Sequence, residues 1–162
     1  MISIICALDE RRAIGYQNQL LFHLRADLKR FRTLTSGHTV VMGRRTFESL
    51  PKGALPNRRN IVLSRSGFTA PGVEVFPSLE EAMRHSRADE KVFIIGGESV
   101  YRESMPIADR LLLTLIRAEA AHADTFFPDV DWDEWVLYSE ETHEPDDENS
   151  ASYSFCNYVR RS

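Results

Sequence analysis

Apolar residues along the chain fall into two rhythms: short continuous runs that read as strands, and runs spaced three and four apart that read as helices. Ile2–Leu8 is the first continuous run, and its lack of alternation suits a central strand covered on both faces. Residues 9–23 have no period and carry Gly15, Asn18 and Gln19, which predicts a loop of about fifteen residues, a length often given to lids and binding loops. From Leu24 to Leu34, Leu24, Leu28, Phe31 and Leu34 recur at i, i+4, i+7 and i+10 and line one face of a predicted helix. Ser36-Gly37 ends it.

Thr39–Met42 is a second apolar strand, running through Gly43 into a short helix, Arg44–Leu50, before Pro51, Gly53 and Pro56 break the chain. Asn60–Ser64 and Val73–Phe76 follow as strands. Ser78, with Glu81 three residues on, opens a capping-box helix to about His85. Lys91–Ile95 is the next strand, passing through Gly96-Gly97 into a helix over Ser99–Met105, and Arg110–Arg117 is another strand. Trp135–Glu141 and Ser152–Val159, joined by a polar, acidic connection, predict a C-terminal antiparallel hairpin. Strands alternating with helices, undivided by any repeat or linker, predict a single α/β domain over residues 1–162. Its sheet is expected to have about eight strands, mostly parallel, with four helices on both faces.

Composition narrows the class. A chain of 162 residues can bury roughly two-thirds of its unfolded surface, and 43% apolar with 27% charged residues excludes a disordered chain. Ile2–Leu8 has no basic segment before it and is too short for a signal or a membrane span. Cys6 and Cys156 lie in separate apolar runs, as reduced core residues of a cytoplasmic protein would. The net charge of −4 hides an asymmetry: residues 43–65 hold six basic residues and one acidic, while residues 129–148 hold ten acidic residues and no Lys or Arg. An acidic whole argues against nucleic acid, and a local basic segment within it suits a small anionic ligand.

The candidate chemistry gathers at a few points. Asp27 sits at the edge of the apolar face of the first helix, where a carboxylate is costly to bury unless something pairs with it; the alternative is a solvated acid in the first turn, favoured by the helix dipole. Two strand-to-helix junctions look alike, Gly43 before Arg44, Arg45 and Thr46, and Gly96-Gly97 before Glu98 and Ser99. Glycine lets the backbone approach a ligand there, and helix N-termini of this kind hold phosphates. Neither a G-x-G-x-x-G fingerprint after the first strand nor a P-loop is present. Ser64-Arg65 would suit an extra phosphate, and one arginine of the pair Arg58-Arg59 could clamp a carboxylate. The five histidines show no ligand spacing, so no metal is expected, and G-x-S-x-G is missing.

Taken in order, ISIICAL, AIG, ADL-x-x-F, VVMGRRTFESL, LPNRRNIVLSR, IIGGESVY, LLLTLI and DTFFPD resemble the bacterial dihydrofolate reductases over essentially the whole chain. The resemblance implies reduction of 7,8-dihydrofolate to tetrahydrofolate by NADPH, with hydride to pterin C6 and a proton to N5. Asp27 is then the ionisable side chain of the pterin pocket, assisted by Thr114, with Phe22 as the third catalytic position. Ile5, Ala7, Leu28, Phe31, Leu50, Leu55 and Ile95 line the substrate pocket with Lys52, and Arg58 takes the glutamate α-carboxylate. For NADPH, Ala7, Ile14, Gly15 and the stretch Asn18, Gln19, Leu20 cover the nicotinamide. Arg45 and Thr46, with Gly97, Glu98, Ser99, Val100 and Tyr101, hold the pyrophosphate side, and Ser64 and Arg65 the adenosine 2′-phosphate. Gly43, Arg44, Leu63, Ile95 and Gly96 complete the cofactor set. Family members join the glycines matching Gly96-Gly97 by a cis peptide bond.

The partners implied are dihydrofolate and antifolates, acting on a cytoplasmic monomer without nucleic acid or membrane. The chain departs from the family at Leu21-Phe22, where Pro-Trp is usual, at Arg25 for a frequent Pro, and at Phe47 for Trp. Glu98 brings an acid near the expected phosphates. One residue is inserted around Pro51–Ala54 and another around Ala121–Ala123, beside Asp124, which matches a residue that bonds the loop over the nicotinamide. The competing readings are another NADPH reductase of this architecture, such as the pyrimidine reductase of riboflavin synthesis, and a non-catalytic nucleotide-binding module.

Overall fold

A computed structural model describes residues 1–22 and 24–162; His23, one of the five histidines, lies outside them. The sheet is built around β1 (Ile2–Leu8), whose Ile4, Ile5, Cys6 and Leu8 are all buried. β1 lies between β7 (Val92–Ile94) and β8 (Arg110–Ile116) and runs parallel to both. Beyond β7 the parallel order continues through β4 (Thr39–Gly43), β5 (Arg59–Leu63) and β6 (Val73–Phe76). On the other side β11 (Tyr153–Arg160) and β10 (Trp135–His143) add as an antiparallel hairpin, giving an eight-stranded sheet in the order β10-β11-β8-β1-β7-β4-β5-β6.

Alternation along these strands sorts the side chains between two apolar layers. Ile4, Cys6, Val41, Ile61 and Ile94 face α3 (Leu79–Arg84) and α4 (Glu98–Ser104), whose Leu79, Ala82, Val100 and Tyr101 close that core. Ile5, Val40, Met42, Val62 and Phe93 face the opposite way, against Phe31 and Leu34 of α1 (Arg25–Thr35) and Phe47 of α2 (Arg44–Ser49). The helices therefore cover both faces, as the alternation of elements predicts. Cys6 and Cys156 are both free and buried, and each is in register with Leu113 of β8 from opposite sides, so one strand separates them.

The segment expected to be a structureless loop is instead partly ordered into strands. β2 (Ala13–Tyr16) and β3 (Gln19–Leu20) form a tight hairpin, and β9 (Thr125–Phe126) pairs with the other edge of β2. Gln17 and Asn18 turn the hairpin with positive φ of 49° and 62°, which matches a two-residue turn usually marked by Asn-Gly. Without glycine the turn left no sequence signal. The base of this segment is fixed by Asp9, which is buried: its Oδ1 accepts from the N–H groups of Arg11 and Ala13, and its Oδ2 from that of Ala120, each at 2.9 Å.

Asn60 performs a similar task for the turn between α2 and β5. Buried in β5, it accepts from Leu55 N–H at 2.8 Å and donates to the carbonyls of Leu55 and Arg58 at 2.9 and 3.0 Å. Removing it leaves three backbone groups without their partner, each worth about 0.5–1.5 kcal/mol. Asn60→Ala is expected to lose about 2 kcal/mol of stability in urea unfolding, the cost typical of unsatisfied buried polar groups.

Candidate functional site

Asp27 is the third residue of α1, in the first turn, and Leu24 caps the helix with extended backbone and no side-chain bond. The dipole explains this position but not the carboxylate's partner. Thr114 of β8, itself buried, donates its hydroxyl to Asp27 Oδ1 at 2.5 Å. The register that sets Thr114 beside Ala7 of β1 and Phe155 of β11 delivers that hydroxyl to the helix. Burial pushes the Asp27 carboxyl above its ordinary value, opposed by the Thr114 hydrogen bond and by the charge of Arg30.

The apolar residues expected around Asp27 fall in two adjoining groups. Phe31, Leu50, Leu55 and Ile95 pack on buried Ile5, while Ala7 and Phe22 pack with Leu24, Ala26, Ile116 and Tyr153. Leu28 departs from the buried stripe that the helical period predicts: 47% of it is exposed. Lys52 is exposed in the turn after α2. The two neighbouring arginines have different work. Arg59 is bound to Glu74 at 2.7 Å and Glu90 at 2.8 Å, and is therefore structural. Among the described residues, Arg58 donates to Pro56 O and, at 3.2 Å, to Thr35 Oγ1 at the end of α1.

A second feature is a cleft of about 1080 Å³ lined by Asn18, Gly43, Arg44, Arg45, Thr46, Leu63, Ser64, Arg65, Gly97, Glu98, Ser99 and Val100 of the expected cofactor set. The two strand-to-helix junctions meet here: Gly43 N–H donates to Gly96 O at 2.8 Å, and the Gly96-Gly97 peptide bond is cis. A Cβ on Gly43 would come 3.3 Å from Val100, and one on Gly96, whose φ is +116°, would meet the Tyr101 ring at 3.2 Å. The positive φ thus calls for glycine at position 96, while at position 43 a side chain would press on Val100. Arg44 donates to Ser66 Oγ at 2.9 Å and stacks on Phe68, leaving Arg45 and Arg65 exposed on the same wall.

Ala7, Ile14, Gly15, Gln19, Leu20, Ile95, Gly96 and Tyr101 do not line this cleft. Tyr101 is buried beneath it, donating its hydroxyl to Ile5 O at 2.9 Å, and Ile14 packs on the same core. Gln19 and Leu20 line a separate surface hollow with Leu21, Phe22 and Ala120 through His122. Glu98 is turned aside, its carboxylate accepting from Phe126 N–H at 2.8 Å and pairing with Arg102 at 3.1 Å.

A sequence model of dihydrofolate reductase matches residues 1–160. The chain belongs to the dihydrofolate reductase family. Dihydrofolate reductase type 3 of Salmonella typhimurium is 45% identical over 162 residues, covering 99% of each chain. The Bacillus subtilis (strain 168) dihydrofolate reductase is 40% identical over 162 residues, covering 99% of this chain and 95% of its own. Among solved structures, a dihydrofolate reductase from Enterococcus faecalis, complexed with NADP(H) and RAB-propyl, superposes with a TM-score of 0.94 at 36% identity, covering 100% of this chain and 97% of that one.

Several residues of this dihydrofolate reductase site were not visible in the pattern of its sequence. Gln17, Pro77, Ser78, Glu103 and Thr125 also line the cleft. Asp124 accepts from Gln17 N–H at 2.9 Å, its carboxyl held below its ordinary value chiefly by that bond, and Asn18 Nδ2 donates to Arg45 O at 2.8 Å. These contacts fasten the β2–β3 hairpin across the cleft; Asp124 stands where the resemblance implies a bond to this segment, while the Asn18–Arg45 bond is revealed by tertiary structure alone. Asn60 and Asp9 carried a faint signal, as polar residues beside apolar strands.

The raised Asp27 carboxyl has a consequence for stability. A folded-state value above the unfolded one means that burial favours the protonated form, so stability is lost as pH rises through the folded value. Asp27→Asn is expected to unfold at higher urea concentration than the parent at neutral pH, and the gain should vanish in acid, where both side chains are neutral. A parent and variant of equal stability at pH 7 would contradict it.

Proposed function

We propose that this chain reduces 7,8-dihydrofolate to 5,6,7,8-tetrahydrofolate with NADPH, as a one-domain, monomeric enzyme serving one-carbon metabolism. The reading rests above all on the Thr114–Asp27 pair: a carboxylate whose partner holds only Oδ1, next to apolar side chains that include a half-exposed Leu28. A flat, polar-edged heterocycle suits such a place, with its ring N–H and amino groups donating to Asp27 and its faces against Ile5, Leu28, Phe31, Leu50 and Ile95. Farther along, Leu55 would flank the aminobenzoyl group and Arg58 would clamp the glutamate α-carboxylate, with Lys52 beside it. The two buried free thiols suit a reducing, cytoplasmic setting.

The cleft fits NADPH on its own chemistry. Backbone N–H groups at the close-packed glycine junctions, the Thr46 hydroxyl, and Arg44, Arg45, Ser64 and Arg65 suit a pyrophosphate and a 2′-phosphate. The chemistry NADPH brings when bound is hydride donation to pterin C6. The protein's part is alignment and electrostatics. Asp27 orients the pterin, and its negative charge in a poorly solvated site favours a proton at N5, delivered by water. Phe22 has no indole N–H, so the water that delivers the proton takes its hydrogen bond from another donor. The β2–β3 hairpin, tied to Arg45 and Asp124, closes the side of the cleft.

Absorbance at 340 nm provides the test: NADPH oxidation should require dihydrofolate, and NADPH binding without dihydrofolate-dependent turnover would overturn the reading. Within it, Asp27→Asn should slow hydride transfer about a hundredfold at pH 7, as loss of one charge-stabilising group does. The loss should shrink in acid, where dihydrofolate arrives already protonated. Equal rates at neutral pH would remove Asp27 from the role.

A further inference from the structure

Among the described residues, the charge that acts on Asp27 comes from its own helix. Arg30 follows Asp27 by three positions on α1, a spacing at which helix side chains become neighbours. The guanidinium lies over the Phe155 ring, 4.5 Å from its centroid, and donates through NH2 to Asn157 Oδ1. Its NH1 is buried and has no hydrogen-bond partner among the described residues. A guanidinium does not lose its proton in proteins, so a full positive charge is wedged between α1 and β11 with part of its donor capacity unused. No part of the binding scheme above employs it.

The other ionisable groups that sense Asp27 are Cys6 on β1, Tyr101 on α4 and Tyr153 on β11. Burial pushes the Cys6 thiol up to about 12 and the Tyr101 phenol well above its ordinary value, and it raises Tyr153 as well. All three are neutral at pH 7, and Thr114 contributes a dipole. Among the described residues, Arg30 is therefore the full charge that Asp27 senses at neutral pH. On its other side Arg30 faces Tyr138 and Glu141 of β10 and Cys156 of β11. The Glu141 carboxylate also lies 2.7 Å from His143 Nε2.

We propose that Arg30 is a positioning residue for the reaction: held by Phe155 and Asn157, its charge keeps the Asp27 carboxylate ionised, and so able to accept from the pterin, at neutral pH. The inference rests on the dihydrofolate reading above. It assigns to the C-terminal hairpin, which that reading leaves without a role, the task of holding the counter-charge. Hydrogen bonding from Thr114 to one oxygen alone leaves burial to favour the neutral acid. A cation fixed one helical turn away offsets that cost without occupying the face the substrate needs.

The test follows the Asp27 carboxyl carbon by NMR in 13C-aspartate-labelled enzyme without substrate, with Asp27→Asn assigning the resonance. In Arg30→Met the carboxylate should bind its proton about tenfold more tightly, the effect of losing one nearby opposite charge. Arg30→Lys should titrate close to the parent, and Arg30→Gln repeats the measurement should the Met variant fail to fold. The pH profile of kcat/KM for dihydrofolate should move in the same direction as the titration. Neutral variants that titrate like the parent would overturn the proposal. So would a Lys variant displaced as far as Met, or a uniform loss of kcat/KM with an unmoved titration. Since the titration needs no turnover, its result stands apart from the assay for dihydrofolate reduction; a parent that fails that assay sinks the functional reading and not the electrostatic coupling.

Discussion

One backbone hydrogen bond, from Gly43 N–H to Gly96 O, closes the gap between β4 and β7 at the end of the sheet where both strands turn into helices. The parallel register of β4, β7 and β1 makes it possible, because Val41 lies opposite Ile94 and Ile94 opposite Ile4. The rest of the site takes its dimensions from that closure. It brings α2 and α4 to a common wall, with Val100 so near Gly43 that a side chain there would have to push it aside. It also anchors the core beneath, since Tyr101 reaches from the same helix under Gly96 to the carbonyl of Ile5. Ligand-binding crevices at the carboxyl ends of parallel strands are a general consequence of such sheets. Here the crevice is divided between a basic cleft and an apolar pocket with a single acid.

That division follows from charge. The phosphate-type side is built from backbone donors and exposed arginines, where solvent screens the charges and no pairing is needed. The apolar side carries a carboxylate that burial disfavours, opposed by the Thr114 hydroxyl and by the charge of Arg30, one helical turn away. Arg58 and Arg59 show the same economy within two residues. Arg59 opens β5 and is consumed by Glu74 and Glu90, while Arg58, in the bend just before the strand, donates to Thr35 at the end of α1.

Much of this was legible in the sequence, and the residues that were not share a cause. The strands and helices of the main sheet follow from apolar runs that contact the core through local periodicity alone. Asp27 and the two glycine junctions stood out because their residue types are costly or permissive at those places. The β2–β3 hairpin was missed because Gln17 and Asn18 take left-handed backbone without glycine, so turn chemistry gave no mark. Leu28 broke the helical stripe because periodicity tells which side chains share a face and not what covers that face. Asn60 and Arg30 act through partners that local periodicity does not mark: Arg30 reaches Asn157 across the fold, and the bond of Asn60 to Leu55, five residues away, depends on how the turn folds back.

The two cysteines give the molecule an internal gauge of its own opening. Both sit opposite Leu113, one strand apart on either side, so neither can reach the other to form a disulfide while β8 is in place. Cys6 lies in the strand at the middle of the sheet, and Cys156 in the strand next to its edge. Exposure of the first to a thiol reagent requires the whole sheet to come apart, whereas the second is uncovered once the terminal hairpin peels away. The ratio of their modification rates therefore reads out how cooperatively the hairpin is joined to the rest, with no label added.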